Sequence, residues 1–385
     1  MNKNLIGKKI QATFNSILLA MAIAVLGSCT PVINGSISVS TTTNSTSGFL
    51  LNLVTPLSMT AGSCAEIQIE YVDSALQMQA LPSDLQLSLN SQLNNLPSGL
   101  FYLDSACTGT FVNNLRFLAD QKSVRIYYKN QVAGNTLIKV TAPDLPVAER
   151  TTRILADSLD IAQSTLALSS ASVAADGTSF TTLTVTLKDQ FGNGVPNQTV
   201  AVGSSRAPSI SDSIVIVSAT SNQNGVATFR VSSLTSGIAT LTASVNAVPL
   251  TQTTNLTFSP TVPTQLAFMT QPSATGTAAI DLAQSPVIVI RDSGGNTSIA
   301  ATNSVSLQGF SDTACNLPVV GGITASSNPL SATAGIASFA AVKVLKTNVI
   351  RVQASSGGLI SACSSSLSIV AGAPFSISMS TGDSQ

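Results

Sequence analysis

Apolar and polar side chains alternate with a period of two along most of the chain beyond its first residues. The clearest stretches are Val124–Tyr128, Leu183–Lys188, Ala239–Val245 and Ile350–Ala354, where the alternating partners are mostly Thr, Ser, Arg or Gln. Such a period predicts strands with one buried face and one solvated face. Residues 77–96 are the single weak helix candidate beyond the leader. Short strands separated by turn residues favour β-sandwiches, so the sequence predicts an all-β fold.

A strand followed by Asp-x-x-Gly-Asn occurs twice, about 100 residues apart, which is the length of one sandwich domain. Aspartate accepts local backbone N–H bonds, while Gly and Asn tolerate positive φ. The motif residues are therefore predicted to be structural turn residues: Asp189, Gly192, Asn193, Asp292, Gly295 and Asn296. A diverged third copy, in which Ile67–Val72 runs into Asp73, precedes them.

These repeats predict three tandem units. The predicted division is 1–28 signal peptide, 29–48 lipidated cysteine and Ser/Thr-rich tether, 49–158 first unit, 161–259 middle unit, 261–371 third unit, and 372–385 start of a truncated fourth repeat or a frayed tail. The tether is poor in large apolar side chains, so it cannot bury enough surface to fold by itself.

The first 29 residues have the architecture of an export signal, with three lysines followed by an apolar run from Phe14 to Leu26. Cys29 then follows Leu26-Gly27-Ser28, which resembles the lipobox of bacterial lipoproteins. The resemblance implies cleavage before Cys29 and lipidation of that residue. Thr30 at the next position implies sorting to the outer membrane. The alternatives are a plain secretory signal and an uncleaved anchor, for which the run falls short of roughly 20 residues.

Four cysteines remain once Cys29 is assigned to lipid. Cys64 and Cys107 lie in the first predicted unit, and Cys315 and Cys363 lie in the third. Four cysteines allow three pairings, of which pairing within each unit is the simplest. An exported protein can form and keep both bonds. Four buried free thiols are the alternative.

Composition excludes several classes of function. The chain of 385 residues contains no His, so His-based catalysis and His-ligated zinc are excluded. Lys+Arg and Asp+Glu number 17 each, so no net charge attracts nucleic acid. No Gly-x-Ser-x-Gly or phosphate-loop motif occurs. We predict that the protein is not an enzyme and requires no cofactor.

Acidic turns offer two weaker alternatives. Asp292-Ser293-Gly294 is similar to the aspartic-protease loop, but that chemistry needs two carboxylates that share a proton. Asp189 and Asp292, each with its asparagine, could bind Ca²⁺ together with Asp176 or Asp312. Calcium takes six to eight oxygen ligands, with several carboxylates among them, and each turn supplies about one carboxylate. Turn chemistry is therefore the prediction, and no metal site is predicted.

The stretch Tyr127-Tyr128-Lys129 suggests a platform for a sugar. With a period of two, however, Tyr128 points inward and only Tyr127 points outward. Core packing is therefore the prediction for this stretch.

The middle unit resembles the bacterial Ig-like domain of the invasin/intimin (Big-1-like) kind across residues 164–258. The matching residues are Ala175–Thr178, Leu183–Lys188, Asp189–Asn193, Asn224-Gly225 and Gly237–Val245. The third unit resembles related repeats through Leu266–Pro272, Pro286–Asn296 and Gly335–Phe339, and the first resembles the disulfide-bearing version through Phe101–Thr108 and Ile126–Lys129. The resemblance implies a rod of three tandem immunoglobulin-like β-sandwich domains. It does not imply invasin's receptor binding, which depends on a distal lectin-like domain that nothing here matches.

Together these observations predict a lipid-anchored envelope protein that acts as a non-catalytic Ig-like stalk or adhesin. We expect it in the outer membrane, at the cell surface or on the periplasmic face. Its expected partner is a protein or glycan on another cell, the matrix or the envelope. The alternative is a structural scaffold or spacer that binds another envelope protein through its sheet edges.

Overall fold

The computed structural model describes residues 48–373, in which all regular secondary structure is β-strand. The prediction of an all-β fold is confirmed. The signal peptide, Cys29, nearly all of the tether and most of the predicted tail lie outside the described residues. Between residues 48 and 373 there is no helix with the length and apolar character needed to cross a membrane.

The strands fall into three consecutive groups, each with its own sheets and its own hydrophobic core. The first group is β1 (Phe49–Val54), β2 (Ser58–Thr60), β3 (Cys64–Asp73), β4 (Leu85–Leu93), β5 (Leu96–Pro97), β6 (Leu100–Tyr102), β7 (Asn114–Phe117), β8 (Ser123–Lys129), β9 (Gly134–Thr141) and β10 (Ala148–Leu155). One sheet has the order β1-β3-β8-β6, and the other contains β2, β10, β9, β4, β5 and β7.

The middle group has one four-stranded and one five-stranded sheet. Its strands are β11 (Leu159–Leu168), β12 (Ser172–Ala174), β13 (Thr181–Asp189), β14 (Val200–Ser204), β15 (Ser213–Ser218), β16 (Val226–Ser232), β17 (Gly237–Val245), β18 (Val248–Pro249) and β19 (Thr254–Ser259). The orders are β11-β13-β16-β15 and β12-β19-β17-β14, with β18 beside β17.

The third group has shorter strands. They are β20 (Gln265–Thr270), β21 (Thr275–Thr277), β22 (Val287–Arg291), β23 (Ser304–Phe310), β24 (Pro318–Val319), β25 (Ile323–Thr324), β26 (Leu330–Ser331), β27 (Ile336–Ser338), β28 (Lys343–Val344), β29 (Arg351–Ser355), β30 (Ala362–Cys363) and β31 (Ser368–Val370). The sheet β20-β22-β27 faces a sheet that is built on β23 and β29.

Each group is closed by the same parallel pairing. A three-residue strand near the start of the group pairs with its last strand: β2 with β10, β12 with β19, and β21 with β31. In the first and middle groups the first strand joins one sheet and the next strand joins the other, whereas in the third group β21 and β31 form a separate two-stranded sheet. Because this pairing occurs in each group, the three groups are like units. They are called here the first, middle and third units.

The alternating pattern sets which side chains fill the cores. In β13, Leu183, Val185 and Leu187 are fully buried, while the threonines between them are half-buried. Burial of each such aliphatic side chain contributes roughly 1.5–3 kcal/mol. The weak helix prediction for residues 77–96 is wrong, because Leu87 and Leu89 alternate with exposed polar residues in β4. That period of two fits a strand paired with β9.

Two disulfides lie in the outer units. Cys64 at the start of β3 is bonded to Cys107 in the loop after β6. Cys315 in the loop after β23 is bonded to Cys363 in β30. The pairing is therefore within units, and the middle unit contains no cysteine.

Candidate functional site at the domain joints

The two Asp-x-x-Gly-Asn turns are built in the same way. The Asp189 carboxylate is fully buried and its Oδ1 accepts the N–H groups of Phe191 at 2.9 Å and Asn193 at 2.8 Å. The equivalent Asp292 is also fully buried and accepts the N–H of Asn296 at 2.8 Å. The glycines of both turns have positive φ, as Gly192 at 85° and Gly295 at 83° show. Local turn chemistry thus accounts for one oxygen of each aspartate.

The asparagine of the first turn binds the unit that precedes it. The Ala133 N–H donates to Asn193 Oδ1 at 2.9 Å, and Asn193 Nδ2 donates to the Gln131 carbonyl at 2.8 Å. Both partners lie in the loop between β8 and β9 of the first unit. One amide side chain therefore pairs with a donor and an acceptor of the neighbouring unit, which fixes its orientation.

The second joint repeats this geometry one unit further along. The Ser236 N–H donates to Asn296 Oδ1 at 2.7 Å, and Asn296 Nδ2 donates to the Leu234 carbonyl at 2.9 Å. These partners lie between β16 and β17, which occupy the places in the middle unit that β8 and β9 occupy in the first. Sequence reasoning assigned these asparagines a role in the turn alone. It missed their partners, because those partners lie about 60 residues away.

The aspartates also hold the linkers between units. Oδ2 of Asp189 accepts the Asp157 N–H at 2.8 Å, and Oδ2 of Asp292 accepts the Thr261 N–H at 2.9 Å. Asp157 and Thr261 lie where one unit ends and the next begins. Each carboxylate therefore connects two segments by hydrogen bonds. One segment is the linker, and the other is the turn whose asparagine binds the preceding unit.

Hydrogen bonding keeps both carboxyl groups ionised. Burial removes water from Asp189 and raises its pKa, but the bonds from Asn193, Asp157 and Phe191 outweigh burial, so the pKa lies below its usual value. Asp292 behaves in the same way, with burial opposed by bonds from Thr261 and Asn296. The charge is retained because backbone donors replace the lost water.

An aromatic side chain distinguishes the first joint from the second. Phe191 extends from its turn in the middle unit and packs against the hydrophobic core of the first unit. Its ring covers Gly62, where an added Cβ would lie 2.4 Å from Phe191 Cζ. The second turn has Gly294 at the equivalent position, close to the Leu234 carbonyl. The first joint is therefore apolar as well as hydrogen-bonded.

A buried polar side chain braces each of the two loops that the asparagines bind. In the first unit, Asn130 Oδ1 accepts the Val132 N–H at 3.0 Å, and its Nδ2 lies 3.1 Å from Tyr128 Oη and from Thr136 Oγ1. In the middle unit, Arg206 performs this task. Its guanidinium donates to the carbonyls of Thr235 and Ser236.

Arg206 is itself held inside the middle unit. It forms an ion pair with Asp212, and the two side chains are 7% and 1% exposed. The guanidinium also lies over the ring of Phe258, 4.6 Å from its centroid. Sequence reasoning missed this residue, because a single Arg in a Ser-rich loop gives no signal of burial.

Among residues 48–373, the diverged turn of the first unit makes no contact of this kind. Asp73 accepts the N–H groups of Ala75 and Gln77 at 2.9 Å, but Leu76 and Gln77 replace the glycine and the asparagine. Gln77 Nε2 donates to the nearby Ala75 carbonyl instead. Both turns that follow another described unit therefore have an asparagine that binds that preceding unit.

The other acidic candidates are occupied by local donors. Asp176 accepts bonds from Thr178 and Ser179, which hold its pKa well below the usual value. Asp312 accepts backbone N–H groups of Ala314, Asn316 and Leu317. Within residues 48–373, no three His, Cys, Asp or Glu side chains converge in the manner of a metal site.

We expect the double substitution Asn193→Ala and Asn296→Ala to loosen both joints without unfolding the units. The lost bonds are those between units and one side-chain bond to each aspartate, whereas each core and the backbone N–H bonds to each aspartate remain. Small-angle X-ray scattering of the full chain should show a broader distribution of end-to-end lengths than the wild type. Asn224→Ala, at an exposed turn position within the middle unit, is the matched control. An unchanged scattering curve for the double variant would contradict a role of these asparagines in the joints.

We expect acid to weaken the joints. Because the folded pKa of Asp189 and Asp292 is depressed, their contribution to stability is complete above the unfolded pKa of about 4. It is lost as the pH falls through the lower folded value. Urea unfolding of the third unit, followed from pH 7 to pH 2.5, should show a steep loss of stability. Asp292→Asn, which does not ionise, should be less stable at pH 7 and should show a shallower pH slope.

Comparisons with known proteins find one family model and several solved structures that are similar to this chain. Residues 160–261 match the family model for domain 3 of invasin, so the middle unit is an invasin-type Ig-like domain. The crystal structure of invasin, a bacterial integrin-binding protein, aligns at 16% identity and a TM-score of 0.39, over 84% of this chain. The chain covers 60% of that structure's length. No curated protein matches the chain.

Two other solved structures align over most of both chains. FdeC, an Escherichia coli adhesin, aligns at 15% identity and a TM-score of 0.44, over 88% of this chain and 99% of its own. InvD of Yersinia pseudotuberculosis aligns at 14% identity and a TM-score of 0.44, over 84% of this chain and 97% of its own.

Proposed function

We propose that the protein is a lipid-anchored, non-catalytic stalk of a bacterial envelope that presents Ig-like surfaces for adhesion. We further propose the unit boundaries 49–158, 161–259 and 261–371. The observation that carries the proposal is the joint that occurs twice with the same bonds. Domains that are connected only by a covalent linker normally move relative to one another. Here an asparagine, an aspartate and a linker N–H restrain each junction, which suits a stalk that must hold its surfaces away from the membrane.

The N-terminal sequence supplies the proposed anchor. Lipidation of Cys29 would hold the chain at the outer membrane, and the Ser/Thr-rich residues 30–48 would form a flexible tether. A flexible segment of this length has a root-mean-square span of about 25 Å. The stalk would therefore pivot at its base while its joints restrain bending along its length.

Surface exposure and lipidation can be tested separately in intact cells. Protease shaving, blotted for the middle unit and for a periplasmic control protein, should digest the stalk while the control stays intact. Labelling with an alkyne fatty acid should mark the wild type and not the Cys29→Ser variant. Protection of the stalk until the outer membrane is opened would overturn the adhesion proposal. Absence of label on the wild type would overturn the anchor.

The second candidate function is an envelope scaffold that binds a partner through a sheet edge. Strand β15 is the edge of its sheet, and β16 is its one partner among the described strands. Its consecutive residues Val215, Ile216 and Val217 are 53%, 64% and 55% exposed. An uncharged edge strand of this kind can accept a further strand from a partner protein.

The scaffold candidate can be tested with two matched isoleucines. Ile216 in β15 and Ile238 in β17, on the other sheet, are both 64% exposed. If the edge carries the function, Ile216→Lys should abolish cross-linking to an envelope protein in cells, and Ile238→Lys should leave it intact. Equal cross-linking in both variants would exclude the edge of β15.

A further inference from the structure

The first unit carries a row of aromatic side chains across neighbouring strands. Glu66 in β3 is paired with Tyr127 in β8, and Tyr127 is paired with Tyr102 in β6. Tyr102 is in turn bridged to Phe111, in the loop after β6. Residues paired directly across antiparallel strands lie on the same face of a sheet. Tyr127, Tyr102 and Phe111 therefore form one line, called here the aromatic row, with Glu66 at its end.

The aromatic row lies on the outer face of this sheet. The adjacent residues Phe101, Ile126 and Tyr128 are buried and fill the core from the other face. Phe111 is 52% exposed, and Tyr102 and Tyr127 are half-buried. The expectation drawn from the Tyr127-Tyr128-Lys129 stretch is confirmed, because Tyr128 points inward and Tyr127 points outward. Tyr128 packs in the core, and Tyr127 is paired with Tyr102, which is in turn bridged to Phe111.

The loop that carries Phe111 is held rigidly in place. The Cys64–Cys107 disulfide attaches the loop to β3. Asp104 accepts the N–H groups of Thr108 at 3.1 Å and Gly109 at 2.9 Å. The Val112 N–H donates to the Phe101 carbonyl at 2.8 Å. A surface fixed in this way loses little conformational entropy when it binds a ligand.

The polar surroundings of the aromatic row include charges of both signs. Arg125, which is paired with Gln68 on the same sheet, forms an ion pair with Glu66 at 3.3 Å. Lys129 lies in the next row, opposite Leu100. These groups offer donors and acceptors without the basic cluster that an anionic ligand would require.

We propose that the aromatic row binds a neutral glycan chain. Flat rings with polar edges complement sugar rings, whose C–H faces are apolar and whose rims carry hydroxyls. Adjacent strands lie about 4.8 Å apart, so three aromatic side chains in line span about 10 Å. That length suits a short run of sugar residues better than a single one. This inference rests on the proposed adhesive function and assigns that function a surface and a ligand class.

Affinity electrophoresis of the full chain in detergent tests the proposal without cells. The gels contain mannan, laminarin or hydroxyethyl cellulose as neutral probes, and heparin as the anionic comparison. We expect at least one neutral glycan to retard the wild type. Phe111→Ala and Tyr102→Ala should weaken that retardation about tenfold each. Phe180→Ala, which removes a 48% exposed ring from the middle unit, is the matched control and should bind as the wild type does.

Each other outcome overturns the proposal. No retardation by a neutral glycan, retardation by heparin alone, or equal loss in the Phe180→Ala variant would each exclude the aromatic row as a glycan site. A protein that is captured from partner cells and lost in Phe111→Ala, without glycan binding, would assign the row to a protein partner. Tyr127→Phe keeps the ring and checks that any loss comes from ring removal, and protease resistance confirms folding. Because the assay is cell-free, its failure leaves surface exposure and anchoring to be decided by the shaving experiment.

Discussion

Replacement of Arg206 by Met is expected to lower the free energy of unfolding of the middle unit by about 3–5 kcal/mol. The substitution leaves the Asp212 carboxylate, 1% exposed, without its charged partner. Burial by itself raises the pKa of Asp212, and the bonds from Arg206 and Ser204 bring it below the usual value. Without the guanidinium, the carboxylate must either protonate or draw water into the core. Urea unfolding followed by hydrogen exchange and mass spectrometry of middle-unit peptides measures the loss.

The surface pair Arg125 and Glu66 provides the matched control for this prediction. Its side chains are 65% and 44% exposed, so water already solvates both charges. Arg125→Met should therefore change the stability of the first unit only slightly. A small effect of Arg206→Met, equal to that of Arg125→Met, would show that Arg206 is not an internal brace.

Arg206→Met should also affect the second joint. The guanidinium binds the Ser236 carbonyl, and the N–H of the same residue donates to Asn296. Without the bonds from Arg206, the loop between β16 and β17, which Asn296 binds, becomes more mobile. Hydrogen exchange of residues 233–237 should rise in this variant even in the absence of urea, while exchange of the loop between β8 and β9 should stay unchanged.

Removal of a disulfide is expected to have a comparable effect in an outer unit. The double substitution Cys64→Ala and Cys107→Ala opens a loop of 43 residues. In the chain-entropy model, this destabilises the folded first unit by about 4 kcal/mol relative to its unfolded chain. The loop with Phe111 also loses its attachment to β3, so proteolysis between residues 103 and 111 should become faster.

The chain contains its own controls for this second prediction. Cys315→Ala with Cys363→Ala opens a loop of 48 residues and should affect the third unit by a similar amount. The middle unit, which has no cysteine, should unfold at the same urea concentration in both variants. A loss of stability that spreads equally over all three units would contradict the assignment of each disulfide to one unit.

The sequence by itself determined the class of the fold and the content of each core. The period of two in Leu183–Lys188 decides which side chains point inward, because alternation along a strand is a local property. The turns at Asp189 and Asp292 were also predictable, since each aspartate bonds to N–H groups within four residues. The one error of element type, at residues 77–96, came from a leucine-rich segment whose alternation in β4 was missed.

The tertiary structure alone decided which residues act together. Asn193 and Asn296 look like ordinary turn residues until the preceding unit supplies a donor and an acceptor about 60 residues away. Tyr127 looks solitary until strand register places Tyr102 beside it and Phe111 beside Tyr102. Joints and surface rows depend on contacts between segments that are distant in sequence. The alternation along one strand determines the face on which a side chain lies, but not which distant residue lies beside it.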